Sequence, residues 1–474
     1  MPVSLISYEI TKLTHVTNER FMNNVIIKLS FNKLLYQIEF FKTIIYFQGN
    51  YSKEMYFSSK EKTLGFIYNT GIHLANLGLN MLSPFNTKIK RGVNGRTCTF
   101  NLLNQHLNKT DKTLWFHCAS LGEYEQGLPV FKALREHYKQ HKIVLSFFSP
   151  SGYEIQKNSP VADVIVYIPL DTESNAKRFL DLVNPELTVF VKYDIWPNFL
   201  KALKKRQGRA ILISAAFRKS QSYFKWYGKS LKQALFTFEH IFTQNEHSKN
   251  LLESIGYTKT TVAGDTRFDR VTSQLSQNNN LDFIKTFKQN KLCIVAGSTW
   301  PEGEALLINY INENATGDTK FIIAPHNIKT NQIAHILEKL QVKTCLFSEK
   351  DTCTLSDAQV FIIDTIGILS KIYSYADIAY VGGALGTTGL HNTLEPAVFG
   401  IPIIIGNNHK KFPEAQAMID NGGMFSISNQ SAFNTILHDL IKNPDKRTQA
   451  GNNNLNYIKK NKGAVIQILD YLRI

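Results

Sequence analysis

Five short strings in this sequence combine reactive side chains with the small residues that open a backbone to a ligand. The first is Trp115-Phe116-His117-Cys118-Ala119-Ser120-Leu121-Gly122-Glu123. An apolar run ends there in a Ser-Leu-Gly turn. Glu123 then falls in the first turn of a helix, where a carboxylate can take a proton from a hydroxyl group. The same position also suits a structural acid favoured by the helix dipole. The second string, Phe148-Ser149-Pro150-Ser151-Gly152, reads either as an anion-holding turn or as an ordinary helix cap. The third is Val191-Lys192-Tyr193-Asp194-Ile195-Trp196-Pro197-Asn198. Charged groups directly after a buried run are unfavourable unless they serve a cleft. The fourth is Gly264-Asp265-Thr266-Arg267-Phe268-Asp269. The planar fork of Arg267 fits a phosphate or carboxylate, and a surface ion pair is the other reading.

The last set lies in the second half. Gly297-Ser298-Thr299, Pro325-His326 and Asp364-Thr365-Ile366-Gly367-Ile368 each follow an apolar run. Gly382-Gly383 precedes the most specific string, Gly389-Leu390-His391-Asn392-Thr393-Leu394-Glu395-Pro396-Ala397. Glycines there allow close approach of backbone to a ligand. A helix predicted from Asn392 would offer N–H groups to phosphate, with Glu395 one turn inside to accept from a ribose. No metal-binding Asp-x-Asp stands in a comparable place.

The elements that must position these strings are legible as alternation. Strands are predicted at 113–117, 143–147, 164–168, 187–191, 210–213, 240–243 and 260–262, with amphipathic stretches between them. An Asn-rich stretch at 273–280 interrupts the pattern. It resumes with strands at 292–296, 320–324, 360–363, 378–381 and 402–405. Such alternation predicts an α/β fold with two doubly wound parallel sheets. The motifs then fall at the carboxyl ends of strands, facing a cleft between the halves.

The chain has 474 residues, enough for two domains. Hydrophobic residues are 43%, so a large core can form and wholesale disorder is excluded. Lys and Arg number 54 against 38 Asp and Glu, a formal +16. That excess fits an anionic partner or plain compositional drift. No RNA- or DNA-binding motif is present in the sequence, so a nucleic-acid partner is not expected. The five cysteines include no C-x-x-C pair. Neither a disulfide framework nor a zinc site is expected, and a reducing compartment is.

Residues 1 to about 60 carry no chemical motif, and Met55 is an alternative start. Across 64–84, Leu64, Ile67, Ile72, Ala75, Leu79 and Leu82 space as one face of a helix, with Asn69, His73, Asn76 and Asn80 on the other. The polar face argues against crossing a bilayer. Either an interfacial helix followed by basic Lys88, Lys90 and Arg91, or a helix packed on the first domain, satisfies this pattern.

The ordered set of strings resembles the 3-deoxy-manno-octulosonic acid (Kdo) transferases of Gram-negative bacteria, from about residue 63 to the C-terminus. His117 to Glu123 is similar to the family's H-x-x-S-x-G-E, and Ser149 to Gly152 to T-P-T-G. Asp194 to Asn198 is similar to the end of E-T-E-L-W-P-N, Asp364 to Gly367 to D-T-M-G, and Gly389 to Pro396 to G-G-H-N-x-L-E-P. The resemblance implies the GT-B fold: two Rossmann-like domains, at 93–275 for the acceptor and 285–474 for the CMP-sugar donor. Residues 63–92 would be a membrane-associating helix and basic linker, and 1–62 an extension without an assigned role.

The resemblance also implies a reaction: inverting, metal-independent transfer of Kdo from CMP-Kdo to a lipid A precursor, with no cofactor, at the cytoplasmic face of the inner membrane. Glu123 would be the base. Pro325, His326, Ile366, Gly367, Ile368, Asn392, Thr393, Leu394 and Glu395 would hold CMP. There are three departures: one phosphate-facing arginine of the family's P-R-H is lost at Pro325-His326-Asn327, and the other two fall on Lys192 and Arg267, expected beside Glu123 as catalytic residues. Lys192 occupies the place of the family's first acid in E-T-E-L-W-P-N, and Arg267 that of a lysine. The alternatives are a GT-B enzyme using a UDP-sugar and an inactive lipid-binding homologue.

Overall fold

A computed structural model describes residues 53–225 and 228–474, with side chains described from Tyr68 onward in the first helix. Most of the predicted extension 1–62 lies outside the described residues, and so do the side chains of Leu64 and Ile67.

The apolar runs form strands because both faces of each run find a covering layer. The first sheet holds β1 (Thr113–Cys118), β2 (Lys142–Phe147), β3 (Val164–Tyr167), β4 (Pro185–Val191), β5 (Arg209–Ala215), β6 (His240–Thr243) and β7 (Thr260–Val262). Its order is β3-β2-β1-β4-β5-β6-β7, with parallel pairing. Successive side chains alternate between two cores. Trp115, Val144 and Phe190 pack with Phe179 and Phe199 on one face. Phe116, Leu145 and Val189 pack with Phe131 on the other. Burial on both faces is why these strands read as continuous apolar runs.

The second sheet holds β8 (Leu292–Thr299), β9 (Thr319–Pro325), β10 (Thr344–Leu346), β11 (Val360–Ile362), β12 (Ile378–Val381), β13 (Ile403–Gly406) and β14 (Met424–Ile427). The order is β10-β11-β9-β8-β12-β13-β14, again parallel. The chain is thus an α/β protein with two doubly wound sheets. All twelve strands read from the sequence are present. β10 and β14 were not anticipated.

The last helix, Ala464–Leu472, returns to the first sheet, where Ile468 and Leu472 join the core around Phe116. Asp269 caps its start, its carboxylate accepting from Gly463 N (2.8 Å) and Ala464 N (3.1 Å). One cysteine pair also departs from expectation. Cys345 in β10 is bonded to Cys353, with Cα atoms 6.4 Å apart. The short helical turn Phe347–Glu349 folds the chain back between them, and a separation of eight residues carries no sequence signal for such a turn.

The helix Lys53–Leu82 rests on the first sheet's helices through Ile72, which is buried, with Tyr68, Asn69, Ala75 and Leu79 half-buried on the same side. Leu74, Leu77, Met81, Leu82 and Phe85 point away from the protein. Among the described residues no helix is long and apolar enough to cross a membrane.

Candidate active site

The strand order reverses direction between β1 and β4 in the first sheet and between β8 and β12 in the second. Loops leaving adjacent strands diverge at such a point and open a crevice at their carboxyl ends. Glu123 lies just after β1 and Lys192 directly after β4. Trp300 lies after β8, and the Gly382–Leu394 loop after β12. Both sets of motifs therefore flank a switch point, which periodicity alone cannot locate.

Glu123 occupies the first turn of the helix Leu121–His137 and is nearly buried. Its Oε2 accepts the Ser120 hydroxyl, and its Oε1 lies 3.6 Å from Lys192 Nζ. Lys192 holds a left-handed backbone, φ +71°. Its N–H is fixed to Ile213 O at 2.8 Å.

Beneath this pair runs a hydrogen-bonded chain. The Trp115 Nε1–H donates to Ser146 Oγ (2.7 Å), and Ser146 Oγ lies 2.8 Å from His117 Nδ1. His117 Nε2 lies 2.6 Å from Asp194 Oδ2, which also accepts from Trp196 Nε1 at 2.8 Å. An ionised carboxylate can only accept, so Nε2 is the donor in the contact with Asp194. The His117 proton then belongs on Nε2, facing Asp194. His117 and Asp194 thereby tie β1 to the loop that carries Lys192. Both stand in motifs quoted above, yet their partnership requires the pairing of β1 with β4.

Arg267 is engaged from two sides. Its Nε donates to Asp265 Oδ2 (2.8 Å) and its Nη1 to Glu414 Oε1 (2.9 Å) on the helix Pro413–Asp420. The two carboxylates raise its already high pKa against the opposing effect of burial. Arg270, one turn on, pairs with Glu125 (2.7 Å) and with Glu395 (3.6 Å). The two arginines thus form a seam between the halves. Arg270 was missed at the sequence level because its partners come from both.

On the donor side, Pro325 closes β9 and His326 follows it. His326 stacks on Trp300, with centroids 4.9 Å apart, and lies 4.3 Å from the ring of His391. Trp300 Nε1 donates to His391 Nε2 at 2.8 Å. Burial, with a contribution from His326, pushes His391 down to about 4. Burial also lowers His326. Ile366 is 84% exposed, Gly367 is left-handed, and Ile368 precedes the short helix Leu369–Ile372. Gly383 has φ +97°, and a Cβ there would meet Gly389 O at 2.0 Å, so only glycine fits this fold of the loop.

The predicted helix at Asn392 begins later and is short, Leu394–Ala397. Asn392 caps it, accepting from Leu394 N (3.1 Å) and donating to Glu395 Oε1 (3.0 Å). The Leu394 N–H is therefore already bonded, and Thr393 and Leu394 are buried. Burial raises the Glu395 carboxyl against the opposing effect of Arg270. Among the described residues no group of three or more His, Cys, Asp or Glu is placed to hold a metal ion.

Comparison with known proteins gives a consistent set of relatives. Residues 95–270 match the model of the family described as 3-Deoxy-D-manno-octulosonic-acid transferase (kdotransferase). The chain is 28% identical over 381 residues to the 3-deoxy-D-manno-octulosonic acid transferase of Haemophilus influenzae, covering 76% of this chain and 86% of that protein. It is 28% identical over 349 residues to the transferase of the same description from Aquifex aeolicus, covering 71% and 88%. Among solved structures, the UDP-GlcNAc 2-epimerase of Neisseria meningitidis, bound to UDP-GlcNAc, superposes with a TM-score of 0.54 at 16% identity, over 77% of this chain and all of that one. At that identity the likeness shows the GT-B fold alone.

Proposed function

From the premise that this chain belongs to the Kdo transferase family, and is a glycosyltransferase, we propose that it transfers Kdo from CMP-Kdo to a lipid A precursor. The observation that carries the reading is the place of Glu123. It stands at the switch point of the first sheet, and its helix reaches the second unit through Glu125, Arg270 and Glu395. A carboxylate so placed takes the proton of an acceptor hydroxyl as that oxygen attacks the anomeric carbon. Attack from the face opposite the nucleotide inverts the centre.

On the donor side, Pro325, His326, the Ile366–Ile368 loop and Asn392 to Glu395 are the proposed CMP contacts. The exposed Ile366 and the Trp300–His326–His391 stack offer surface for a flat base. As CMP leaves, its phosphate gains charge that a guanidinium stabilises. Arg267 fills that role by exchanging Glu414 for the phosphate, a swap that domain closure would drive. No step in this scheme calls on a metal ion.

The acceptor is a lipid, and the exposed apolar row from Leu74 to Phe85 supports a peripheral seat on a bilayer. Exposed Lys88, Lys90 and Arg91 would meet anionic headgroups at its edge. Offering CMP-Kdo and UDP-sugars in turn with the lipid acceptor tests the donor. Product from CMP-Kdo alone is expected, and turnover of a UDP-sugar would overturn the assignment.

A further inference from the structure

Lys192 adopts a left-handed backbone directly after β4. A left-handed backbone is unfavourable for a lysine, and the bond from its N–H to Ile213 O holds it there. The result is to aim the side chain back across β4 toward the β1 loop. Its Nζ stops 3.6 Å from Glu123 Oε1, longer than a charge-assisted hydrogen bond, with the Tyr193 ring centroid 5.3 Å away. The Lys192 side chain is 29% exposed and that of Glu123 11%, so the ammonium is the cleft-facing member of a loose pair. The second oxygen of Glu123 is held independently by Ser120.

A sugar acid of the ulosonic type carries its carboxylate directly on the anomeric carbon. A hydroxyl bonded to Glu123 sits about 2.7 Å from it. In an attacking geometry that oxygen is roughly 3–3.5 Å from the anomeric carbon, and the carboxylate is one bond further. The substrate anion therefore arrives beside the base, within the swing of a four-carbon stem.

We propose that Lys192 is a specificity-determining residue that exchanges its pair with Glu123 for the carboxylate of the donor sugar. The exchange does two things together. It neutralises the anion next to the carbon under attack, and it frees Glu123 Oε1 for the acceptor hydroxyl. This inference rests on the Kdo transfer reading. An acceptor phosphate presents the same oxyanion chemistry, and the kinetic arms of the test separate the two sources.

The test uses the full chain carrying Lys192→Met or Lys192→Arg. Donor and acceptor are varied separately, and thermal melting is read alongside. The expected result for Lys192→Met is a donor KM raised about tenfold or more, the loss typical of a charged hydrogen-bond partner. Acceptor KM and inhibition by CMP should be unchanged, and Lys192→Arg should recover most of the loss. Calorimetry with the free sugar acid and its methyl ester reads the same contact without turnover. Wild type should prefer the acid, and Lys192→Met should bind both alike. An unchanged donor KM, a rise confined to the acceptor KM, or equal binding of acid and ester by wild type would overturn the proposal. Failure of wild type to use CMP-Kdo while preferring the free acid would overturn the transfer reading and leave the carboxylate contact standing.

Discussion

Tyr68 donates its hydroxyl to Asp171 Oδ2 at 2.7 Å, across 103 residues of sequence. The same carboxylate accepts from Asn198 N and Phe199 N, each at 3.0 Å, and the Asn198 side chain donates to Asn69 Oδ1 at 2.7 Å. The first helix is thereby bonded to the first turn of the helix Pro197–Lys205, four residues past Asp194. A shift of the proposed membrane-facing helix would be felt at the loop that carries Lys192.

Asp171 is fully buried, and burial pushes its carboxyl up to about 6 from 3.8, against the opposing effect of its hydrogen bonds. The folded state therefore binds its proton more tightly than the unfolded chain. The stabilisation from protonation is fully present below pH 3.8 and is lost as pH rises through about 6. The gap corresponds to about 3 kcal/mol at most. Relative to an Asp171→Asn variant, wild type should gain melting temperature between pH 7.5 and 5. Parallel pH profiles for the two proteins would contradict this account of Asp171.

Replacing Glu123 with Gln keeps the shape and the bond from Ser120 but removes the proton acceptor. Transfer should fall by roughly 10²–10⁴-fold, the range of general-base catalysis. CMP affinity, measured by calorimetry, should stay at the wild-type value. Near-normal turnover would remove Glu123 from the mechanism.

The sheets were legible because buried parallel strands read as continuous apolar runs, and twelve strands follow from that signal. β10 has three residues, and β14, Met424-Phe425-Ser426-Ile427, interrupts its apolar run with a serine, so neither announces itself. Candidate site residues carried by a single string, such as Glu123, could be proposed from that string alone. The pairs His117–Asp194, Arg267–Glu414 and Arg270–Glu395 could not. Each joins segments that meet only once the strand order and the domain seam are set. The first helix was half legible. Ile72, Ala75 and Leu79 face the protein as the spacing implied, but Leu82 is exposed, Asn69 turns inward to bond Asn198, and Leu74, Leu77 and Met81 make the opposite face apolar too.

Lys192→Gly separates strain from function. Glycine at an ordinary position destabilises by about 0.5–1 kcal/mol, whereas at φ +71° the relief of left-handed strain offsets this. The variant should melt at or above the wild-type temperature while losing activity. A clear drop in melting temperature would show that the side chain, not the backbone, is what this position contributes to stability.

The exposed row along the end of the first helix and the turn after it predicts a surface effect. Phe85 is 87% exposed and Leu77 59%. Inserting such a side chain into the headgroup boundary is worth about 1.5–3 kcal/mol. The double variant Leu77→Ser, Phe85→Ser should therefore sediment with anionic phospholipid vesicles at least about tenfold more weakly. Melting should be unchanged. Wild-type partitioning in the variant would assign the row to something other than a bilayer.

The most direct test of the central claim is mass spectrometry of the product formed by the purified protein from CMP-Kdo and a lipid A precursor, without added metal. The acceptor mass should increase by whole Kdo residues, with CMP released in equal number and the product absent for Glu123→Gln. An unmodified acceptor from folded wild-type protein, or the same product from Glu123→Gln, would contradict it.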